Sequence, residues 1–509
     1  MGDPGIRAGG SEPAGERWPR LALALALALL ASLAIYNDFH RSLWMDEAYT
    51  LNTVRRSLAG TFHQSVRFEL QPPLYFLLLN VWLRVSPTIE WARLFSTLVL
   101  ALVLWMLHRL AKLLEIERSP LSLPLAAALC PMLLWAASEA RCYALAILLT
   151  TCATFYYLRV WGLSATGSRR DVLLYVAFAY LALLTHYYVA FVLAAQLVAG
   201  LFFTGRRRAL LLSFLALGLL LLPWVPTILG QTSTHPNYES SLTFSTTLSL
   251  AGWVLSTLRQ TVFDTVSVVA RPGAALILAL LLVALVGLRL RRGTAPWSRA
   301  ETAVTLMATV PFAALVCLRL GHLALVENRH YVMVTTWPIV LAALLVARTE
   351  RRWSRVALGS LLTAAFAVSA ISYQRNSADG PEGWKGAAAY VARSAAVSEP
   401  ILFADPYGML PFEYYYHGPN ALRGLPRDPP LDSYALSSVT IGDEGQLRER
   451  FTAVVRPSDG FWLIERLGLY YTLGGAILDR FVRSDATVVE MRQFGGVRVI
   501  HARYVPPPG

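Results

Sequence analysis

Long apolar runs alternate with short, arginine-bearing polar segments along most of this chain, and the alternation stops near residue 373. An α-helix needs roughly twenty apolar residues to cross a bilayer. By that measure the pattern predicts about eleven spans. They are Leu21–Tyr36, Arg93–Leu114, Leu121–Ala137, Cys142–Trp161, Val172–Thr185, Tyr187–Thr204, Leu210–Leu229, Pro272–Leu290, Thr302–Leu318, Tyr331–Ala347 and Val356–Tyr373. Pro72–Val85 is apolar but short, and reads as a juxtamembrane or re-entrant helix. Beyond residue 373 the period changes. Gly386–Ala396 reads as an amphipathic helix, and Pro400–Ala404 and Gly460–Glu465 read as strands. Thr487–Arg492 and Val497–Tyr504, separated by Gly495 and Gly496, read as a β-hairpin. The expected fold is an α-helical polytopic membrane protein with external juxtamembrane helices, followed by a small extracytoplasmic α/β domain. The boundaries run as follows: a disordered cytoplasmic N-terminus over 1–20, a transmembrane domain over 21–373 with its first external loop at 37–92, a linker at 374–385 and the external domain over 386–505.

Composition agrees with a membrane location. Of 509 residues, 55% are hydrophobic and 15% charged, against about a quarter charged in soluble domains. The net charge of +13 is not gathered on one soluble face, which argues against a nucleic-acid partner. Instead the basic residues fall between spans, at Arg109, Lys112 and Arg118, Arg169 and Arg170, Arg206 to Arg208, Arg291 and Arg292, and Arg348 to Arg355. Cytoplasmic loops carry such clusters. The alternation places the C-terminus outside. The four cysteines lie in or beside apolar runs without metal-binding spacing. The middles of the spans lack Asp, Glu, Lys and Arg. Ion pathways usually require such groups at that depth, so the helices read as a scaffold.

On this topology the polar clusters share the external side. Trp44, Asp46, Glu47 and Tyr49 follow the first span, and Glu69, Gln71, Pro72 and Pro73 follow within the same loop. Glu139, Arg141 and Tyr143 lie after the third span, and His186 and Tyr187 after the fifth. His235, Tyr238 and Glu239 lie after the seventh, and Glu327, Arg329 and His330 after the ninth. Each cluster alone has a plain structural account as a helix-start acid, exposed ion pair or interfacial aromatic belt. Together, acids beside arginines and histidines suit general-base catalysis next to a bound phosphate. Asp46 and Glu47 are the candidate catalytic acids. Arg141 and Arg329 are candidate phosphate ligands, since a guanidinium binds oxyanions bidentately, with His330, His186, Tyr143 and Tyr187 adding hydrogen bonds. Glu69, Gln71, Glu139 and Tyr49 line the expected cavity.

The stretch from Trp44 to Tyr49 resembles the first external loop of the C-type (GT-C) membrane glycosyltransferases. It is most similar to bacterial relatives of the protein O-mannosyltransferases and the lipid A aminoarabinose transferase. Gln71 to Tyr75, Ser138 to Leu145, Thr185 to Tyr187, Arg329 to Tyr331 with Pro338, and Gly383 to Lys385 are also similar to that family. The resemblance covers about residues 20 to 420. It implies a polyprenyl-phosphate-linked sugar donor, transfer to an acceptor hydroxyl on the external face with inversion, and an acidic first-loop residue as base. Relatives often carry His before the Pro-Pro pair, where this chain has Gln71. Relatives also differ in using a divalent metal, and no metal or cofactor is assigned. Two other readings share the spans: a lipid-linked sugar transporter or flippase, which repeated halves or broken helices would favour, and a non-catalytic membrane assembly protein. The aromatic stretch Phe412 to His417 reads first as core, with sugar stacking as the alternative.

Overall fold

The structure is a computed structural model that describes residues 14–163, 167–203, 205–234, 297–320, 328–376, 382–457, 459–468 and 473–505. The expected span Pro272–Leu290 and the residues His235, Tyr238, Glu239 and Glu327 lie outside the described residues. The chain is a polytopic helical membrane protein with a small α/β domain at its C-terminal end. Among the described residues, six helices are long and apolar enough to cross a membrane: Arg17–His40, Ile89–Leu113, Tyr143–Gly162, Arg207–Gln231, Arg329–Ala347 and Arg352–Arg375.

The first helix, α1 (Ala14–His40), begins inside the stretch expected to be disordered, because a helix once nucleated propagates past its apolar run. The segment after α1, expected as the first external loop, folds into three short helices, α2 (Met45–Val54), α3 (Leu58–Arg67) and α4 (Leu74–Trp82). At nine residues, α4 is too short to cross a bilayer. Asn80 ties it to the other two, donating to the carbonyls of Val54 (2.7 Å) and Arg56 (2.8 Å) and to Thr61 Oγ1 (3.0 Å). Helix α5 (Ile89–Leu113) starts at Thr88, whose side chain caps Trp91 N.

The expected span Leu121–Ala137 is not one helix. It divides into α6 (Leu123–Ala128) and α7 (Pro131–Ala137). Pro131 has no N–H to offer the preceding turn, and Cys130 before it is forced extended, with ψ 119°. Helices α8 (Tyr143–Tyr157), α9 (Arg169–Leu183), α10 (Val189–Phe203), α11 (Arg207–Leu221) and α12 (Val225–Thr234) follow. Then come α13 (Arg299–Leu320), α14 (Val332–Ala347) and α15 (Arg352–Asn376), the last running into the stretch read as a linker.

A buried amide joins four of these helices. Gln196 of α10 donates to Thr154 Oγ1 of α8 (2.9 Å) and lies 3.4 Å from Met307 Sδ of α13. Its Oε1 accepts from Tyr175 of α9 (3.1 Å), and its carbonyl accepts from Tyr157 (2.7 Å). Without water, each such polar group needs a protein partner.

The C-terminal domain is a five-stranded mixed sheet in the order β2-β1-β3-β5-β4. The strands are β1 (Ile401–Phe403), β2 (Leu422–Gly424), β3 (Gly460–Arg466), β4 (Ala486–Phe494) and β5 (Val497–Tyr504). Helix α16 (Trp384–Ser394) covers one face. Alternation along the strands divides two cores. Ile401, Phe403, Trp462 and Val499 pack with Trp384, and also with Met45 and Phe68 of the segment between α1 and α5. Leu402, Leu463, Ile500 and Phe451 fill the other face. The aromatic stretch forms α17 (Met409–Tyr415) at the junction. Phe412 is core. The hydroxyl of Tyr415 accepts from Leu43 N (2.7 Å), and that of Tyr414 from Ile89 N (3.0 Å).

Candidate active site at the start of α2

Helix α2 presents its two acids in different directions, since neighbouring helical residues diverge by about 100°. Glu47 is fully buried and meets Arg93 of α5 through a two-point ion pair, Nε to Oε1 at 2.8 Å and Nη2 to Oε2 at 2.6 Å. Ala140 N also donates to Glu47 Oε1 (2.9 Å). Arg93 spends its remaining donors on the carbonyls of Asp38, Arg41 and Ser42. With 0% exposure, Glu47 presents nothing to a substrate here. Glu47, expected to position substrate or share the catalytic load, is held here as the buried partner of Arg93.

Asp46 faces the arginines. Its Oδ2 lies 2.8 Å from Arg329 Nη1 and 4.0 Å from Arg141 Nη2. Arg141, in the loop between α7 and α8, is held in place by Glu69 Oε2 (2.7 Å), Thr50 Oγ1 (2.8 Å) and the carbonyl of Asp46 (3.2 Å). Glu69 reaches it from a turn in which Leu70 adopts φ +54°. A side chain in that left-handed region costs about 1–2 kcal/mol, and such strain gathers at sites whose geometry is over-determined by their surroundings. Burial raises the carboxyl pKa of Glu69 against the opposing pull of Arg141. Arg329 also stacks 5.6 Å from the Trp44 ring. The Trp44 indole N–H in turn donates to Glu139. Burial and the nearby Glu47 raise the pKa of Glu139, and Arg41 lies 4.0 Å from its other oxygen.

The histidines stand behind this group. His330 meets Tyr188 edge-on at 5.2 Å and lies 5.9 Å from His186 between ring centres. Tyr143 lies 6.2 Å from His186. His186 Nδ1 accepts from Tyr188 N (3.2 Å), which puts its proton on Nε2. Burial, reinforced by Arg141 and Arg329, lowers its pKa to about 3. His186 is therefore a neutral donor at Nε2 rather than a cation.

Two expected residues point elsewhere. The Tyr187 hydroxyl donates to Gln231 Oε1 (2.9 Å), whose amide reaches the Val66 carbonyl, so it joins α12 to α3. Tyr49 packs edge-on against Phe68, Tyr407 and Tyr434, at the junction with the C-terminal domain. Gln71 is held by Ser65 through its backbone, and its buried Oε1 has no hydrogen-bond partner. Arg93 and Arg41 were not anticipated as parts of this site. Arg93 sits at the edge of an apolar run, and only its lone charge there marked it. Among the described residues, no group of three or more His, Cys, Asp or Glu side chains is arranged to hold a metal ion.

No protein-family model and no curated protein matches the chain. Among solved structures, it is similar to ArnT from Cupriavidus metallidurans, in the apo state and bound to undecaprenyl phosphate. Each comparison shows 17% identity and a TM-score of 0.44, covering 96% of this chain and 98% of that one.

Proposed function

We propose that this chain is a membrane glycosyltransferase that moves a sugar from a polyprenyl-phosphate-linked donor to an acceptor hydroxyl on the extracytoplasmic face of the inner membrane, with inversion. The observation that carries this reading is the Asp46 carboxylate held between Arg329 and Arg141 at the end of an apolar helical bundle. A lipid-linked phosphate must be met at the membrane surface, because each CH₂ kept from water is worth about 0.8 kcal/mol. Its departing phosphate gains charge as the sugar–oxygen bond breaks, and fixed guanidinium groups stabilise that charge.

In the proposed step the acceptor oxygen bonds to the anomeric carbon while the bond from that carbon to the phosphate oxygen breaks. The acceptor proton passes to Asp46, and polyprenyl phosphate leaves. Arg329 would be shared between Asp46 and the donor phosphate, so donor arrival would draw it from the carboxylate and uncover the base. Arg141, balanced by Glu69, would stay in place as the fixed cation. Neutral His186 would offer its Nε2–H to a sugar or phosphate oxygen. The α6–α7 break is a feature the transporter reading also carries, but a carboxylate placed beside two guanidinium groups at the bundle end supplies the base and the phosphate ligands that transfer needs, and this favours the transferase.

The test is transfer of radiolabel from a panel of polyprenyl-phosphate sugars in membranes containing wild type or Asp46→Asn. Losing a general base typically costs 10²- to 10⁴-fold, so a loss of about that size is expected in the variant. Full activity in Asp46→Asn would remove the base assignment. No transfer from any donor by inserted, folded wild type would remove the enzyme reading and favour lipid-linked sugar translocation.

A further inference from the structure

Helix α2 carries the candidate base in its first turn, yet it has no side-chain cap of its own. Trp44 occupies the N-cap position in an extended conformation and its side chain caps nothing. The first-turn N–H groups of a helix need an outside acceptor. The Met45 N–H finds one in Glu382 Oε2 (3.1 Å), 337 residues along the chain at the root of the C-terminal domain. The same oxygen accepts from the Trp384 indole (2.6 Å), and Oε1 accepts from Arg466 Nε (2.6 Å). Arg466 also meets Asp405 Oδ2 (3.3 Å), and Asp405 Oδ1 accepts from Tyr407 N (3.2 Å). Glu382 itself is pinned by its backbone to the β4–β5 turn, bridging to Gly495. Its neighbour Gly383 allows that approach, since a Cβ there would lie 2.5 Å from the Phe494 carbonyl oxygen.

We infer that Glu382 is a positioning residue that caps α2 from the C-terminal domain, so that docking of this domain sets where the Asp46 carboxylate stands. A carboxylate suits this place twice over: it accepts the orphan N–H, and it meets the positive end of the helix dipole. Arg466 and Trp384 hold it from behind, so the cap is rigid only while the sheet is docked. The geometry therefore makes the C-terminal domain a part of the active site's frame. This inference rests on Asp46 being the base. The capping itself does not, and the two can fail separately.

The experiment uses the full chain in detergent or nanodiscs, with Glu382→Ala and Glu382→Gln beside wild type. Amide hydrogen exchange over residues 43–50 reads the cap directly. Glu382→Ala is expected to speed exchange there while exchange within α5 and α8 stays unchanged. In the transfer assay, kcat is expected to fall about tenfold, within the range of a lost cap and a displaced carboxylate, with the donor KM within about twofold of wild type. Glu382→Gln keeps an acceptor for the Met45 N–H and is expected to recover most of both losses. Unchanged exchange in Glu382→Ala would overturn the cap. Faster exchange with unchanged kcat per folded molecule would overturn the positioning role. If wild type transfers nothing, the proposed function falls, while the exchange measurement still decides whether Glu382 caps α2.

Discussion

Asp46 and Glu47 are adjacent and chemically alike, but their surroundings separate them. Glu47 lies in a fully buried two-point pair with Arg93. Removing one partner of a buried pair strands the other, at a cost of about 3–5 kcal/mol. Glu47→Gln is therefore expected to lower the thermal unfolding midpoint sharply and to reduce the yield of monodisperse protein. Asp46 is also buried, but its partner Arg329 is partly exposed, so this pair is less enclosed than Glu47–Arg93 and its loss costs less. Asp46→Asn should destabilise less than Glu47→Gln while losing transfer. Equal destabilisation by the two variants would overturn this division. His186 gives a pH prediction. Its pKa is lowered from 6.5 to about 3 on folding, so between these values the unfolded chain binds more protons than the native one. Stability from this residue is complete above pH 6.5 and is lost as pH falls towards 3. His186→Gln should flatten the fall in melting temperature between pH 7 and 4.5. An unaltered slope would exclude His186 as its source.

At the scale of elements, the scaffold depends on a few polar contacts as well as on apolar matching. The amide of Gln196 connects α8, α9, α10 and α13. Interhelical hydrogen bonds within membranes are worth about 0.6 kcal/mol each, up to about 1.7. Gln196→Leu should therefore cost on the order of 1–2 kcal/mol in a reversible unfolding assay and leave transfer per folded molecule unchanged. A loss of transfer without loss of stability would tie the network to the site instead. The α6–α7 break serves the site in a different way. It ends α7 at Ala137, just before the turn that delivers Glu139 and Arg141.

At the scale of the molecule, the two domains share hydrogen bonds that neither can make alone. The Tyr415 hydroxyl accepts Leu43 N and the Tyr414 hydroxyl accepts Ile89 N. Losing both hydroxyls would leave two backbone donors without partners, at about 1–3 kcal/mol each where buried. The double change Tyr414→Phe and Tyr415→Phe should speed proteolytic cutting near residues 374–385 without unfolding the bundle. Unchanged cutting would mean that the shared apolar core alone holds the domains together.

The sequence by itself determined the membrane character and the small α/β domain, because burial in lipid and burial in a sheet impose different apolar periods on the chain. It also marked the acids and arginines near the candidate site, since charges beside apolar runs stand out. It did not reveal the break at Pro131 as two helices, the direction of Tyr187 towards Gln231, or the burial of Glu47. It gave no sign that Arg93 would take Glu47 or that Glu382 would cap Met45, pairs 46 and 337 residues apart. Periodicity reports which face of an element is apolar, and it is blind to which distant group meets that face. Only the tertiary structure gave two neighbouring acids different surroundings, because those depend on partners that folding brings together from separate parts of the chain.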